Sequence, residues 1–331
     1  MKQRGVALIL VLWVLSILTL MAGSFTLTMR RETAGLSHTK ENAQALAQAK
    51  SGLTLAQAML LQEDEAKRWR VDGSIYEIES ETATTRIRIM SEFGKIDINS
   101  ATSQLLHHVL QLAPLETQAQ QELENAILDW RDEDETTRPF GAEKTEYKAA
   151  KLSYAPRNKP FRSFEELQML KGMNANVFAW MQKIFTIYAA GQTEVEVNTS
   201  SREVLNVLPE IDATQLDNYF FARQKAILNH APMPILPRIE NAGQSMNGDA
   251  QNTTEAEVAP DIAVVTISVE TILKNEATAR IDVTMEKLDG ANNLPFQILI
   301  WQTDLDAPSL FSQELEPFLI THFFEPENLP N

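Results

Sequence analysis

The strongest hydrophobic pattern lies in the first 60 residues of the chain. No charged residue occurs from Val6 to Met29, and the stretch from Val6 to Ala22 is almost unbroken apolar sequence. A helix over residues 6–29 would be about 36 Å long, which is enough to cross a hydrocarbon core of about 30 Å. The pattern favours a membrane anchor. A removed signal peptide is the alternative, although its apolar region is usually shorter and ends at a small-residue cleavage site.

The pattern after the apolar stretch is still helical. Apolar and small residues recur at spacings of three and four, which defines one stripe along a helix: Leu46, Ala49, Leu53, Ala56 and Leu60. We expect this stripe to pack on the chain's own sheet, and a stripe reserved for a partner helix is the alternative. Gly52 lies inside the stripe and costs about 1 kcal/mol of helix propensity relative to alanine.

Five further segments have the composition and alternation of strands. Two follow the helix, SIYEIES and TTRIRIM, and three lie later in the chain, IAVVTISV, ARIDVTM and FQILIW. From about Gly94 to Lys225 the pattern is helical, whereas Pro232 to Pro260 is rich in Pro, Asn, Gly and acidic residues, which is typical of a flexible linker. The simplest arrangement is an α+β fold in which one sheet carries an inserted helical block.

Composition and charge exclude several classes of function. The chain has 45 acidic and 29 basic residues, a formal net charge of −16 and no cysteine. The negative charge argues against a nucleic-acid partner, because phosphate binding needs clustered lysines and arginines. The missing cysteines exclude disulfides, cysteine-based zinc sites and thiol catalysis. No G-x-S-x-G, H-E-x-x-H, P-loop or G-x-G-x-x-G motif occurs, so we predict that the protein is not an enzyme.

Three segments of the helical block resemble helix-hairpin-helix units. They begin with DINSATSQLL, FRSFEELQML and EVNTSSREVL, each of which has a polar helix start. In other proteins such units grip DNA phosphates through hairpin amides, so a membrane-anchored periplasmic DNA-uptake receptor is an alternative function. Glu116, Glu210 and Asp212 would repel phosphate at two of the hairpins. We therefore expect the units to form a structural scaffold.

An acidic turn stands out within the helical block. The run from Asp132 to Glu135 is entirely acidic and follows a helix that we expect to end near Trp130 or Arg131. Carboxylates at a helix C-terminus face the negative end of its dipole and repel one another, and a bound cation would reverse both effects. The spacing is not that of an EF-hand, but Gly141 allows a turn that could bring Glu143 back. A metal site and a merely solvated acidic turn both fit this pattern.

The beginning of the chain, MKQRG followed by the apolar stretch, resembles the processing site of type IV prepilins and type II secretion pseudopilins. The resemblance implies that a prepilin peptidase cuts after Gly5 and that the new N-terminus, Val6, is methylated. Most pilin-like subunits carry a Glu at the fifth mature position, where this chain has Leu10. A buried carboxylate needs a partner, and the resemblance implies that in a filament this partner is the terminal amine of the neighbouring subunit. Leu10 therefore indicates a subunit at the filament tip, with nothing above it.

A series of motifs in the helical block resembles the K-type minor pseudopilins of the type II secretion system, the general secretion pathway protein K (GspK) family. The motifs are Asp129-Trp130, Asp132, Asp134, Gly141-Ala142-Glu143, Tyr147, Tyr154, Pro156, Asn158, Pro160, Glu165-Glu166-Leu167 and Gly172. Family members bind calcium in this region. By matched position, the resemblance implies Ca²⁺ ligands at Asp132, Asp134 and Glu143, with Glu135 and Asn158 as further candidates.

The resemblance also implies a fold. Members have a pseudopilin fold, a long N-terminal helix plus an antiparallel sheet, with a large inserted all-α domain that here contains the helix-hairpin-helix-like units. The expected boundaries are residues 1–5 for a prepilin leader, 6–29 for the transmembrane part of the helix, 30–96 for the periplasmic helix and first strands, 97–230 for the inserted α-domain, 231–260 for a flexible linker, 261–303 for the remaining strands and 304–331 for a C-terminal tail.

The expected function is that of a minor pseudopilin at the pseudopilus tip, which initiates or caps assembly during export of folded proteins across the outer membrane. The expected partners are the I- and J-type minor pseudopilins and the inner-membrane assembly platform, with secreted cargo or the outer-membrane secretin as further contacts and no nucleic acid. Lys2 and Arg4 precede the apolar stretch. The positive-inside rule therefore places the N-terminus in the cytoplasm and the bulk of this inner-membrane protein in the periplasm.

Overall fold

The structure of the protein, a computed structural model, describes residues 6–65, 67–189, 194–209, 211–229, 231, 233–236, 263–288, 294–303 and 308–320. The predicted leader with Gly5, most of the predicted linker and the last residues of the predicted tail lie outside these ranges.

Helices occupy the first part and the middle of the chain, and strands flank the middle part. The α-helices are α1 (Val6–Leu60), α2 (Ser103–Leu110), α3 (Thr117–Arg131), α4 (Lys144–Ala149), α5 (Ala175–Ile184), α6 (Arg202–Val207) and α7 (Leu216–Leu228). Short 3₁₀ helices span Glu92–Gly94, Phe164–Met169, Ala213–Gln215 and Gln313–Phe318. The strands are β1 (Asp72–Glu79), β2 (Ala83–Ser91), β3 (Ile96–Asp97), β4 (Phe185–Thr186), β5 (Val264–Leu273), β6 (Thr278–Lys287), β7 (Phe296–Thr303) and β8 (Leu319–Ile320).

Six strands form one sheet in the order β7-β6-β5-β2-β1-β8. β2 and β5 are antiparallel neighbours over their length, from Ala83 opposite Leu273 to Ser91 opposite Val265. Helices α2 to α7 therefore lie in a segment that leaves one central strand and returns as its neighbour. This arrangement confirms the predicted α+β fold, in which a helical block is inserted into an antiparallel sheet.

Two small features differ from the expected fold. β8, within the segment expected to be a tail, pairs in parallel with β1, so that Ile75 lies opposite Leu319. β3 and β4 form a two-residue parallel pair inside the inserted block, so the block is not purely helical. Sequence analysis missed β3, β4 and β8 because a two-residue strand is too short to show alternation.

The second half of α1 packs on one face of the sheet, over β2, β5 and β6. Ala49, Leu53, Ala56 and Leu60 are buried in the core between helix and sheet, and Leu46 packs against it partly buried. The predicted stripe is thus confirmed as part of the chain's own core. Each fully buried leucine contributes about 1.5–3 kcal/mol, so this face is a major source of stability.

Gly52 lies where α1 comes closest to the sheet. A Cβ atom at this position would lie 3.0 Å from Val269 Cγ1, 3.1 Å from Thr85 Cγ2 and 3.3 Å from Ile87 Cδ1. These distances are shorter than ordinary contacts between carbon atoms. The close approach therefore explains why a residue of poor helix propensity lies inside the helix.

A buried carboxylate joins the inserted block to the sheet. Glu92, which follows β2, is 3% exposed. Its Oε1 accepts hydrogen bonds from Lys95 Nζ (2.9 Å) and from Thr266 Oγ1 of β5 (2.7 Å), and its Oε2 accepts one from Thr186 Oγ1 of β4 (2.6 Å). Burial by itself raises the pKa of Glu92, but the Lys95 charge and the hydroxyl donors outweigh burial and lower the pKa below its ordinary value.

Arg223 of α7 makes a second connection between block and sheet. Its Nη1 donates to the Ser200 carbonyl (2.9 Å) and its Nη2 donates to the Asp72 carbonyl at the start of β1 (2.5 Å). Nearby, a Cβ atom on Gly94 would lie 2.7 Å from the Thr199 carbonyl oxygen, so the two backbones are in direct contact there. Together these contacts fix the orientation of the inserted block on the sheet.

We predict that Gly52→Leu lowers the free energy of unfolding by about 1–3 kcal/mol, because the larger side chain overpacks the contact with β2 and β5. Gly35→Leu is the matched control, since no atom lies within 4 Å of a Cβ built there. That change should be neutral or raise stability by up to about 1 kcal/mol through helix propensity. Chemical denaturation of the full chain in detergent measures both, and equal effects at the two positions would contradict the packing argument.

We also predict that Glu92→Gln lowers the free energy of unfolding by about 1–3 kcal/mol at pH 7, because it removes a buried charge from its donors. Because the folded-state pKa is lowered, the Glu92 contribution is present above about pH 4.5, the unfolded value, and is lost as the pH falls through the folded pKa. The difference between wild type and variant should therefore shrink in acid. Glu79→Gln, at an exposed position, is the control; a difference independent of pH would exclude this role for Glu92.

Candidate functional site

The first half of α1 is apolar and exposed. Within the described residues, α1 is the one helix that is long and apolar enough to cross a membrane, judged by length and composition. The helix begins at Val6, and Gly5 precedes the described residues. Leu10 lies near its start and is 60% exposed. A continuous apolar surface of this size needs a lipid or protein environment.

The acidic turn begins where α3 ends. The helix ends at Arg131, as predicted, and the Asp132 N–H donates to the Leu128 carbonyl at 3.1 Å. Trp130, fully buried, stacks on Phe161 at a centroid distance of 6.0 Å, and Tyr147 packs against the same indole at 6.0 Å. These aromatic contacts hold the segments on both sides of the turn in place.

The buried carboxylate of Asp129 holds the turn in place through hydrogen bonds. It is fully buried, its Oδ1 accepts a hydrogen bond from Arg138 Nη1 (2.7 Å), and its Oδ2 accepts one from the Ala142 N–H (2.9 Å). A Cβ atom on Gly141 would lie 2.1 Å from Asp129 Oδ2, so only glycine allows this approach. Sequence analysis recognised Asp129 only as part of a motif and missed Arg138, because nothing in the spacing shows which carboxylate an arginine will reach.

Asp132 and Glu143, two of the predicted ligands, each carry a buried oxygen atom without a hydrogen bond. Asp132 Oδ2 is paired with Arg138 Nη1, whereas Asp132 Oδ1 has no partner. Glu143, which precedes α4, is 3% exposed, and its Oε1 likewise has no partner. Buried carboxylate oxygens are rarely left unbonded, so this pair indicates that the turn can accept a further group.

The other predicted ligands lie at the outer side of the turn. Asp134 is exposed, and its Oδ1 accepts the Thr136 N–H at 2.7 Å. Asn158 adopts a left-handed backbone conformation (φ 53°), and its Nδ2 donates to the Asp134 carbonyl, which brings the two segments together. Glu135 is exposed. In the arrangement described, no three acidic or histidine side chains converge on one point where a metal ion would sit.

The predicted acidic ligand residues nevertheless lie close enough to interact electrostatically. Burial, followed by the charges of Asp129, Asp132, Asp134 and Glu135 in that order, raises the pKa of Glu143 to about 7. The side chains of the five predicted ligands all offer oxygen atoms, which is the ligand type that calcium prefers. With two unbonded buried oxygens, the donor set fits a calcium ion in its chemistry.

The helix-hairpin-helix-like units pack as a scaffold. The pairs α2–α3, Phe164–Met169 with α5, and α6–α7 bury their apolar faces in the block. Gly172 lies in the second hairpin with φ 89°. At the third hairpin, the Asp212 carboxylate accepts hydrogen bonds from the Thr214 N–H and hydroxyl, and Glu210 lies outside the described residues. The partly exposed carboxylate of Asp212 would repel a DNA phosphate.

Comparison with known proteins shows similarity within the inserted block and over most of the chain. Residues 87–190 match a family model described as "Type II secretion system (T2SS), protein K". This segment covers the second half of β2, the acidic turn and the first two helical units. A solved structure of the GspK-GspI-GspJ complex from the enterotoxigenic Escherichia coli type 2 secretion system contains a chain of similar fold, with a TM-score of 0.52 at 17% identity over 81% of this chain and 98% of that one.

Similar sequences also extend over most of the chain. Type II secretion system protein K of Klebsiella pneumoniae is 29% identical over 220 residues, which are 60% of this chain and 67% of the relative. Type II secretion system protein K of Pseudomonas aeruginosa is 24% identical over 247 residues, 67% of this chain and 72% of the relative. The family-model match within the inserted block and the similarity to relatives over most of the chain thus both point to protein K of the type II secretion system as what this chain resembles.

Proposed function

We propose that this protein is a minor pseudopilin that works at the tip of the pseudopilus in type II protein secretion. The observation that carries the proposal is the match of residues 87–190 to the protein K family, in a chain whose first helix is both an exposed apolar rod and part of the core of the head. Its work is assembly and not catalysis: it initiates or caps a short filament during export of folded proteins.

The two halves of α1 support two stages of this function. Before assembly, the apolar half anchors the protein in the inner membrane, with the N-terminus in the cytoplasm and the head in the periplasm. After processing at Gly5, the same half packs against the helices of other minor pseudopilins and replaces lipid contacts with protein contacts. The solved relative was crystallised with GspI and GspJ, and we propose I- and J-type subunits as the partners here. The assembly platform, cargo and secretin are further proposed contacts.

Two features favour the tip position. Leu10 stands where a carboxylate would pair with the terminal amine of a neighbouring subunit, so this chain lacks that contact. The inserted block projects from between two central strands of the sheet and widens the head. A subunit stacked over this head would have to bury the block, whose hairpins carry exposed charges.

We expect the full chain, produced together with the I- and J-type subunits and prepilin peptidase of its own organism, to form a three-subunit complex in detergent. Intact-mass spectrometry should give a chain that begins at a methylated Val6, and Gly5→Leu should leave the leader attached. Retention of the leader by wild type would contradict the assignment. In filaments, a label on this chain should occur once, at one end; labels repeated along the shaft would contradict the tip position.

We further propose that the acidic turn binds calcium. Asp132 and Glu143 would supply their unbonded oxygens, and Asp134, Glu135 and Asn158 would supply further oxygen ligands. The ion would supply positive charge among the crowded carboxylates and would relieve the repulsion that raises the pKa of Glu143. Because no three acidic side chains converge in the arrangement described, binding requires the ligands to move towards one another.

Glu143→Gln tests the calcium site because it should raise stability without calcium and reduce the stabilisation that calcium gives. Without calcium at pH 8, the variant should be more stable than wild type by about 1–3 kcal/mol, because it removes a buried charge that its neighbours repel. With calcium, wild type should gain thermal stability and the variant should gain little. Glu133→Gln, an exposed acid in the same turn, should behave like wild type. An equal calcium response in all three proteins, measured by thermal unfolding with and without chelator, would exclude Glu143 as a ligand.

A further inference from the structure

Arg88 lies on the outer face of the sheet, which is the face turned away from α1. Its neighbours Ile87 and Ile89 belong to the core beneath α1, and successive side chains of a strand point to opposite faces. A Cβ atom on Gly73 would lie 3.3 Å from Arg88 Nη2, so the guanidinium lies against that backbone. The ring centroid of Phe318 lies 5.9 Å from Arg88 Cζ. Arg88 is half-buried there, and a buried charge is ordinarily paired.

Arg88 has no carboxylate partner within the described part of the chain. Its Nε donates to the Gly73 carbonyl at 3.3 Å, and none of the ion pairs among the described residues includes it. In the same part of the chain its two Nη groups donate no hydrogen bond and are open to solvent. Arg280 of the same face, by contrast, pairs with Asp282 at 2.8 Å. Arg88 therefore differs from this neighbour in keeping an unpaired charge.

Two acids, Asp72 and Glu203, act on Arg88 electrostatically without pairing with it. Asp72 is already bonded to other residues, because its Oδ2 accepts from Arg70 Nε (2.7 Å) and its Oδ1 accepts from the N–H and the hydroxyl of Ser74 (3.1 Å and 2.6 Å). Glu203 of α6 is exposed and lies beyond ion-pair distance of Arg88. The described residues therefore leave the positive charge of Arg88 without a matching negative charge.

Arg88 keeps its charge in unfavourable surroundings. Burial lowers the pKa of Arg88 below its ordinary value, and the charges of Arg280 and Arg223 lower it as well. Glu203 and Asp72 oppose this shift without reversing it. Because arginine stays protonated at neutral pH, the lowered pKa reflects the cost of holding a poorly solvated charge beside two others of the same sign. A bound anion would reduce this cost.

The free donors of Arg88 suit a carboxylate. Because Nε is bonded to the Gly73 carbonyl, the donors that remain are the two Nη groups, and two adjacent N–H groups match the two oxygens of one carboxylate. A carboxylate also supplies one negative charge for one unpaired positive charge. A divalent anion such as sulfate or phosphate would bring a second negative charge close to Asp72 and Glu203, which would repel it.

We propose that Arg88 is the centre of a carboxylate-binding site on the outer face of the sheet. The carboxylate accepts hydrogen bonds from the two Nη groups of Arg88. Arg223 adds a second positive charge to the site, and Glu203 competes with the ligand for Arg88. Two sources supply this chemistry, a small free carboxylate and an aspartate or glutamate side chain of a partner protein. The site stands independently of the proposed function, because none of the residues that form it belongs to α1 or to the acidic turn.

Thermal unfolding of the full chain in detergent tests the site, with sodium acetate replacing sodium chloride at constant ionic strength. Acetate should raise the melting temperature of wild type, because a ligand that binds the folded state stabilises it. Arg88→Met should lose this rise while melting, in chloride alone, at or above the temperature of wild type, since methionine removes a poorly solvated charge. Arg162→Met, at an exposed arginine of the inserted block, should keep the rise. An equal rise in wild type and Arg88→Met, or no rise in either, would overturn the proposal.

Sulfate at the same ionic strength separates a carboxylate site from a general anion site. Sulfate raises the melting temperature of many proteins without binding to them, so the relevant quantity is the part of the rise that Arg88→Met abolishes. That part should be smaller with sulfate than with acetate, and a larger part would overturn the choice of a carboxylate. Glu203→Gln removes the competing acid and should tighten acetate binding at least about threefold. Unchanged or weaker binding by this variant would contradict the competition.

A blocked peptide distinguishes the two sources of the carboxylate. Acetyl-Gly-Glu-Gly-amide carries one glutamate side chain and no other charge, and acetyl-Gly-Gln-Gly-amide is its neutral control. Stabilisation that needs both the glutamate and Arg88 assigns the site to a side chain of a partner protein, whereas stabilisation by acetate alone assigns it to a small free carboxylate. Since no partner subunit enters these measurements, the site can fail while the proposed function stands, and the proposed function can fail while the site stands.

Discussion

The close contact between α1 and the sheet is the constraint on which the rest of the structure depends. The helix can approach the sheet closely because the residues facing it are small: Ala49, Gly52 and Ala56. Leu53 and Leu60 are therefore buried against the strands. The same helix continues without a break into the apolar half. Because a single continuous helix is both the rod and part of the core, the packing at its second half sets the direction in which the head is held relative to the rod.

The inserted block is tolerated because of where it enters the sheet. It leaves from β2 and returns at β5, which are hydrogen-bonded neighbours, so its two ends lie close together and the strand ladder is not interrupted. Loop closure costs little when the ends are already adjacent. The Glu92 and Arg223 contacts then join the block to strands on either side of its entry point. The block is consequently a fixed projection of the head, and a fixed projection suits a subunit that stops growth in one direction.

The acidic turn depends on packing, since its charges oppose one another. Trp130 and the hydrogen bonds of Asp129 hold the turn in place, and Arg138 supplies a single positive charge between Asp129 and Asp132. One arginine cannot pair with every carboxylate there, which is why burial and repulsion together raise the pKa of Glu143. A turn that is held by aromatic contacts while its charges remain unbalanced is well suited to respond to a cation.

The sequence by itself determined the features that depend on local pattern. The apolar stretch, the stripe from Leu46 to Leu60, the end of α3 near Arg131 and the insertion of a helical block between two sets of strands all follow from periodicity and composition. The tertiary structure alone decided the pairing of β8 with β1, the reach of Arg138 to Asp129, and the register shift between β6 and β7. These features depend on which distant segments meet and in which register, and a shift of one residue in register reverses the face of every side chain.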